Sequence, residues 1–73
     1  MTDAHGRIEV GKCYLTDAAS VRRVVAVHPD GRVQYEWRLG HRKTWKVGIL
    51  SLREFAAAAE REVPCDWMRD GNE

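Results

Sequence analysis

The sequence predicts a mainly β domain of the α+β class, with four or five short antiparallel strands followed by one C-terminal amphipathic helix. Three observations predict this class: short segments that alternate apolar and polar residues, a Pro-Asp-Gly turn at residues 29–31, and a helix-start pattern at Ser51. The chain has 73 residues, which leaves no room for a second hydrophobic core. We therefore predict a single domain over residues 1–73, ordered over roughly residues 8–68, with loose termini.

Four segments have the composition of strands. Residues 10–15 contain several residues that favour strands, residues 21–28 contain four valines, and residues 32–38 and 44–49 alternate in polarity. The apolar residues on both faces of 21–28 indicate a central strand, or one bent by a bulge. The side chains expected to face the core from the last two strands are Val33, Tyr35, Trp37, Trp45, Val47 and Ile49.

The turn between the second and third strands is predicted from its chemistry. Pro29 presets its own φ, Asp30 can accept a hydrogen bond from the backbone ahead of it, and Gly31 tolerates the left-handed conformation. A three-residue connection that contains glycine predicts a hairpin with a G1 bulge.

The helix has both a predicted start and a predicted end. Ser51 and Glu54 form a capping box, in which each side chain satisfies a free backbone N–H of the first turn. Pro64 is expected to end the helix near Glu62, and residues 65–68 are expected to fold back as a short apolar segment. The apolar stripe at helical spacing consists of Leu52, Phe55, Ala56, Ala59 and Val63.

The residues in these segments resemble those of known small β proteins. Val-Gly-Lys-Cys-Tyr at 10–14 and Val-Gln-Tyr-Glu-Trp at 33–37 resemble strands of SH3-like and Tudor-like barrels. The chain also resembles a group of short bacterial proteins with a Ser-Leu-x-x-Phe-Ala helix and a Glu-Val-Pro-Cys-Asp ending, here 51–56 and 62–66. The resemblance implies a small SH3-like antiparallel barrel or curled sheet, and no activity. The residues also allow a sheet of three or four strands with one face covered by the helix.

Charge is distributed unevenly along the chain. Residues 22–53 contain eight basic and two acidic residues, a net charge of +6, whereas residues 54–73 contain two basic and six acidic residues, a net charge of −4. The net charge of +1 for the whole chain therefore conceals a basic β half and an acidic C-terminal half.

The basic half predicts a binding surface for polyanions, centred on the loop at residues 39–46. Lysine and arginine side chains that contact phosphates release counterions, which favours nucleic-acid binding. His41 and an exposed edge of Trp45 are candidates to stack on bases. The residues expected to form this ligand-binding surface are Arg32, Arg38, His41, Arg42, Lys43, Trp45 and Lys46.

Two other interpretations of the same features stay open. The chain is alternatively a protein-interaction or self-associating module, in which Trp67 and Met68 form the contact and two copies make a homodimer. In the third interpretation, the basic side chains are simply solvated and keep edge strands from aggregating.

No sequence pattern is typical of a catalytic, cofactor or metal site, so we expect a non-enzymatic protein without a cofactor. The cysteines and histidines lack the close spacing of zinc ligands, and the six glycines are scattered rather than grouped as in phosphate-binding loops.

The sequence also predicts a cytoplasmic location and no membrane partner. No apolar run approaches the roughly 20 residues that span a bilayer, and residues 1–7 lack the apolar stretch of a secretory leader. Because cytosolic thiols are kept reduced, we expect Cys13 and Cys65 to be free thiols.

Overall fold

The computed structural model describes residues 8–16 and 19–69. These residues form five antiparallel strands in one curled, unclosed sheet with one short helix, which confirms the predicted mainly β, α+β class. The elements are β1 (Cys13–Thr16), β2 (Ser20–Val27), β3 (Arg32–Leu39), β4 (Lys46–Ser51), α1 (Leu52–Ala58) and β5 (Ala59–Val63). The strand order is β4-β3-β2-β1-β5, so β4 and β5 are the edges of the sheet. The ends predicted to be loose lie largely outside the described residues.

The hairpin between β2 and β3 confirms the predicted turn. The Gly31 N–H donates to the His28 carbonyl oxygen at 3.0 Å, the His28 N–H donates to the Arg32 carbonyl oxygen at 2.8 Å, and Gly31 has a φ of 91°. Farther along the hairpin, the β2–β3 register shifts between Val24 and Ala26, which is a bulge within β2 of the kind expected for residues 21–28.

The helix starts as predicted but ends earlier. The Ser51–Glu54 capping box is present, yet α1 stops at Ala58, and the backbone of Ala59 is extended. The residues that were expected to form its last turn make β5, which pairs antiparallel with β1 through Cys13 and Val63. The predicted end near Glu62 is therefore wrong, because hydrogen bonding to the free edge of β1 outweighs the helical propensity of this segment.

The side chains of β4 that were predicted to point into the core point outward, so the predicted alternation is out of phase by one residue. Val47 and Ile49 were expected in the core but are 69% and 55% exposed. The register places Gly48 opposite Tyr35, and a Cβ atom at Gly48 would lie 2.6 Å from Tyr35 Cζ. Because side chains alternate along a strand, this pairing turns Val47 and Ile49 outward. Trp45 precedes β4 and belongs to the loop.

Two hydrophobic clusters lie on opposite faces of the sheet. Helix α1 covers one of them, and we call that side the helix face. Phe55 packs edge-on against the rings of Tyr14 and Tyr35, with centroid distances of 6.0 and 5.3 Å. The buried members of this cluster are Tyr14, Val24, Val33, Tyr35 and Phe55. The cluster on the opposite face consists of Cys13, Leu15, Val21 and Val63, with Trp45, Cys65 and Trp67 packed against it.

Residues 64–69, which we call the C-terminal segment, fold back over the opposite face, as predicted for residues 65–68. A disulfide joins Cys65 to Cys13, with the two Cα atoms 5.1 Å apart, so the expectation of free thiols is wrong for this structure. The two cysteines are 52 residues apart in sequence, and only the fold brings them within bonding range. The segment is also held by a hydrogen bond of 2.8 Å from the Arg69 N–H to the Gly40 carbonyl oxygen.

Candidate functional site

Four of the predicted ligand-binding residues lie together on the surface. The loop at residues 40–45 connects β3 to β4, and its turn is closed by a 3.0 Å hydrogen bond from the Arg42 N–H to the Leu39 carbonyl oxygen. His41, Arg42 and Lys43 are exposed in this loop, and Lys46 is exposed where β4 begins. We call these four residues the cationic loop; within residues 8–16 and 19–69, neither Arg42 nor Lys43 forms a side-chain ion pair.

Arg38 was expected on the binding surface, but it is only 3% exposed. Its guanidinium donates hydrogen bonds to the carbonyl oxygens of Leu39, Arg42, Cys65 and Trp67. It also lies 3.4 Å from the sulfur of Met68. Burial lowers the pKa of Arg38, and the nearby Asp66 carboxylate opposes that shift. Arg38 therefore ties the loop to the C-terminal segment and is not available to an external ligand.

Arg32 does not join the cationic loop. It lies at the other end of β3, six residues before Arg38 and thus about 20 Å away at the rise of a strand. Its Nε donates to the Asp30 carboxylate at 2.9 Å. The hydrogen bond from the Arg32 backbone N–H, at 3.2 Å, and the Arg32 charge hold the pKa of Asp30 below its usual value.

Trp45 is half-buried on the opposite face, where it anchors the loop. The guanidinium carbons of Arg23 and Arg38 lie 4.5 and 5.0 Å from its ring centroid. Arg23 is itself paired with Glu36, its neighbour across the strands. Two arginine side chains of the protein itself thus contact the Trp45 ring. The ring lies on the face of the sheet opposite to the helix face.

The two residues expected to form a protein contact differ in exposure. Trp67 is partly buried against the cluster of the opposite face, and a Cβ atom at Gly40 would lie 2.8 Å from its Cζ3. Met68 is exposed. Trp67 therefore anchors the C-terminal segment, and Met68 alone stays on the surface.

A groove that was not predicted from the sequence lies on the helix face. It has a volume of about 330 Å³ and lies between β2 and β3, beside the cationic loop. The lining residues are Ser20, Arg22, Tyr35, Trp37 and Leu39. Ser20 is paired with Leu39, and Arg22 is paired with Trp37, so these four side chains share one face.

Trp37 lies between two cations in a row across the sheet. Arg22 is its partner on β2, and Lys46 is its partner on β4, with Lys46 Nζ 5.6 Å from the Trp37 ring centroid. The guanidinium carbon of Arg22 lies 5.2 Å from the Tyr35 centroid and 5.9 Å from the Phe55 centroid. One nitrogen of this guanidinium, Nη1, is buried without a hydrogen-bond partner in the described structure.

A sequence signal for the groove was present in β2. Arg22 has the same strand parity as Val24, and this parity places a charged side chain on the same face as a valine. Identifying the groove also required the β2–β3 register, which the sequence does not specify.

A second, smaller cleft of about 140 Å³ lies beside β5 and has a different chemistry. Glu60, Arg61 and Glu62 contribute to its lining. Nearby, the Lys12 ammonium lies 3.2 Å from Glu9 and 3.4 Å from Glu62, and these carboxylates raise its pKa. This end of the sheet therefore carries the acidic part of the charge distribution.

Within the described residues, no group of three or more His, Cys, Asp or Glu side chains is placed to hold a metal ion. The one helix of the described residues is too short and too polar to cross a membrane. Comparisons with protein-family models, curated proteins and solved structures found no match for the chain. Its family resemblance therefore stays a prediction.

Proposed function

We propose that this protein is a small non-enzymatic module that binds nucleic acid through the cationic loop. The observation that carries the proposal is the exposed cluster of Arg42, Lys43 and Lys46 at one end of the sheet. Residues 37–50 contain no acidic residue that would neutralise these charges. Arg42 and Lys43 form no ion pair within the described residues, so both are available to phosphates.

Counterion release sets the size of the expected effect. Each phosphate of a single strand that a lysine or arginine neutralises contributes about −0.7 to the slope of log K against log salt. Three cations predict a slope of about −2, which corresponds to a loss of roughly 15- to 20-fold in affinity between 50 and 200 mM salt.

The test is the binding of a fluorescently labelled oligonucleotide, measured by anisotropy over that salt range. The double substitution Arg42→Ala, Lys43→Ala should weaken binding and bring the slope to about −0.7, because one phosphate contact remains. A matched control with the same loss of charge is Arg53→Ala, Arg61→Ala, since both residues are exposed outside the loop. Absence of binding at low salt, or equal weakening by the control, would overturn the proposal.

The SH3-like fold suggested by the resemblance belongs to the same proposal. Five antiparallel strands in a curled sheet with a short helix before the last strand are compatible with it. The cytoplasmic location also stays a proposal, and the Cys13–Cys65 disulfide argues against it because stable disulfides are rare in that compartment. Alkylation of free thiols in fresh cell extract tests this: alkylated Cys13 and Cys65 would indicate a reducing compartment such as the cytoplasm, and unreactive cysteines an oxidising one.

A second candidate function is self-association through β4. This strand is an edge of the sheet, and an exposed edge is a template for pairing with another chain. Val47 and Ile49 add exposed apolar side chains to it. A homodimer formed by β4 of two copies would cover these side chains. A monomer whose sedimentation does not depend on concentration would contradict this candidate.

A further inference from the structure

We infer that the groove on the helix face holds one base of a single-stranded nucleic acid. The base stacks on the ring of Trp37, the residue that lies between Arg22 and Lys46. This inference rests on the proposed function and names its substrate class. The groove opens beside the cationic loop, because Trp37 and Leu39 come just before the loop and Lys46 comes just after it. A strand whose phosphates lie on the loop can therefore place a neighbouring base in the groove.

The size of the groove suits one small group. Its volume of about 330 Å³ lies at the lower end of the range of roughly 300–1,000 Å³ that is usual for ligand pockets. A duplex keeps its bases stacked inside, and turning one out costs a few kcal/mol. A single strand does not pay most of that cost, so the groove selects single strands over duplexes.

Stacking energies allow the base to displace Lys46 from the Trp37 ring. An exposed lysine over an aromatic ring contributes about 0.5–1 kcal/mol, whereas a base stacked on an aromatic side chain contributes about 1–3 kcal/mol. The displaced ammonium group is then free to contact a phosphate. Lys46 is exposed in the free protein, so nothing in the described structure prevents this movement.

Arg22 supplies the polar contact on the other side of Trp37. Its guanidinium is held against Tyr35 and Phe55, and its Nη1 has no hydrogen-bond partner in the part of the chain that the structure describes. Buried donors without a partner are rare and destabilising. A rotation of the guanidinium toward the groove would pair this donor with a carbonyl or phosphate oxygen of the ligand. The same ligand thus satisfies a polar group that has no partner among the described residues.

The test compares a labelled single-stranded oligonucleotide with its duplex at low salt. We expect the single strand to bind about tenfold tighter, which corresponds to about 1.4 kcal/mol. Trp37→Leu should weaken single-strand binding by about 5- to 150-fold, the equivalent of 1–3 kcal/mol of stacking, and leave duplex binding unchanged. Arg22→Met should also weaken single-strand binding. Its matched control is Arg53→Met, which removes the same charge at an exposed position outside the groove and the cationic loop.

A readout on the unmodified protein keeps the test independent of variant stability. In an NMR titration with the single strand, the indole N–H signal of Trp37 should shift and those of Trp45 and Trp67 should not. Equal binding of both nucleic acids, with no effect of Trp37→Leu or Arg22→Met, would overturn the groove inference and leave the proposed function standing. Absence of any nucleic-acid binding at low salt would overturn both the groove inference and the proposed function. A poly-glutamate peptide that binds through Trp37 where the oligonucleotide does not would show that the ligand class is wrong.

Discussion

Arg22 and Arg38 show how the same residue type takes two roles in neighbouring strands. Both place guanidinium atoms out of contact with water. The guanidinium of Arg38 donates to four backbone carbonyl oxygens, so it stabilises the junction of loop and C-terminal segment. Arg22 instead stacks on aromatic rings beside an open groove, and one of its nitrogens has no hydrogen-bond partner within residues 8–16 and 19–69. The hydrogen-bond partners, rather than burial alone, separate the structural arginine from the candidate binding arginine.

Phe55 is the residue on which the helix-face cluster depends most. It is 0% exposed and contacts both Tyr14 and Tyr35. Phe55→Ala should lower the free energy of unfolding by about 3–5 kcal/mol, because it removes buried apolar surface and leaves a cavity. At roughly 0.05–0.15 kcal/mol per residue, a domain of 73 residues has little stability beyond that loss.

Denaturant unfolding followed by circular dichroism measures this effect. Arg53→Ala, an exposed position on the same helix, is the control and should change the free energy of unfolding by no more than about 0.5 kcal/mol. An unchanged midpoint for Phe55→Ala would show that the helix does not dock on the sheet as described.

At the scale of elements, features with local causes could be predicted and features with distant causes could not. The turn at residues 28–32 and the capping box at Ser51 are decided by neighbouring residues, and both are present. The end of α1 depends on β1, more than 40 residues earlier in the chain, whose free edge takes residues 59–63 as β5. The facing of β4 depends on its register with β3, where Gly48 makes room for Tyr35.

The residues of the candidate site also separate into those placed by local causes and those placed by distant ones. His41, Arg42, Lys43 and Lys46 could be predicted from sequence because a short polar loop between strands is exposed whatever covers the rest. The burial of Arg38 could not, since its partners in the C-terminal segment lie 27–30 residues later. Trp37 was expected to face the core, and it does pack against the helix-face cluster, but it is only partly buried and also lines the groove.

The disulfide between β1 and the C-terminal segment should contribute measurably to stability. It closes a loop with a sequence separation of 52, for which the chain-entropy relation gives about 4 kcal/mol. A reducing agent should therefore lower the free energy of unfolding by about 2–4 kcal/mol. The doubly substituted Cys13→Ser, Cys65→Ser protein should show no response to the reducing agent. Two free thiols found by mass spectrometry in the non-reduced protein would contradict the assignment of the disulfide.

At the scale of the whole molecule, the strand order separates the two signs of charge. Edge strand β4 carries Lys46 and no acidic residue, whereas the other edge strand, β5, carries Glu60 and Glu62 against Arg61. A polyanion is thus attracted to the β4 edge of the sheet and repelled from the β5 edge, and this difference orients the polyanion before contact. Because exposed charges are screened beyond about 10 Å at 0.1 M salt, this orientation should weaken as salt rises.

The most direct test of the central claim is an NMR titration of the isotope-labelled protein with a short single-stranded oligonucleotide at low salt, followed residue by residue. The largest shift changes are expected at residues 41–43, at Lys46 and at Trp37, with little change along Ala59–Val63. These changes should disappear as salt is raised, because phosphate contacts dominate the affinity. Changes centred on β5, or no changes at the lowest salt, would contradict nucleic-acid binding through the cationic loop.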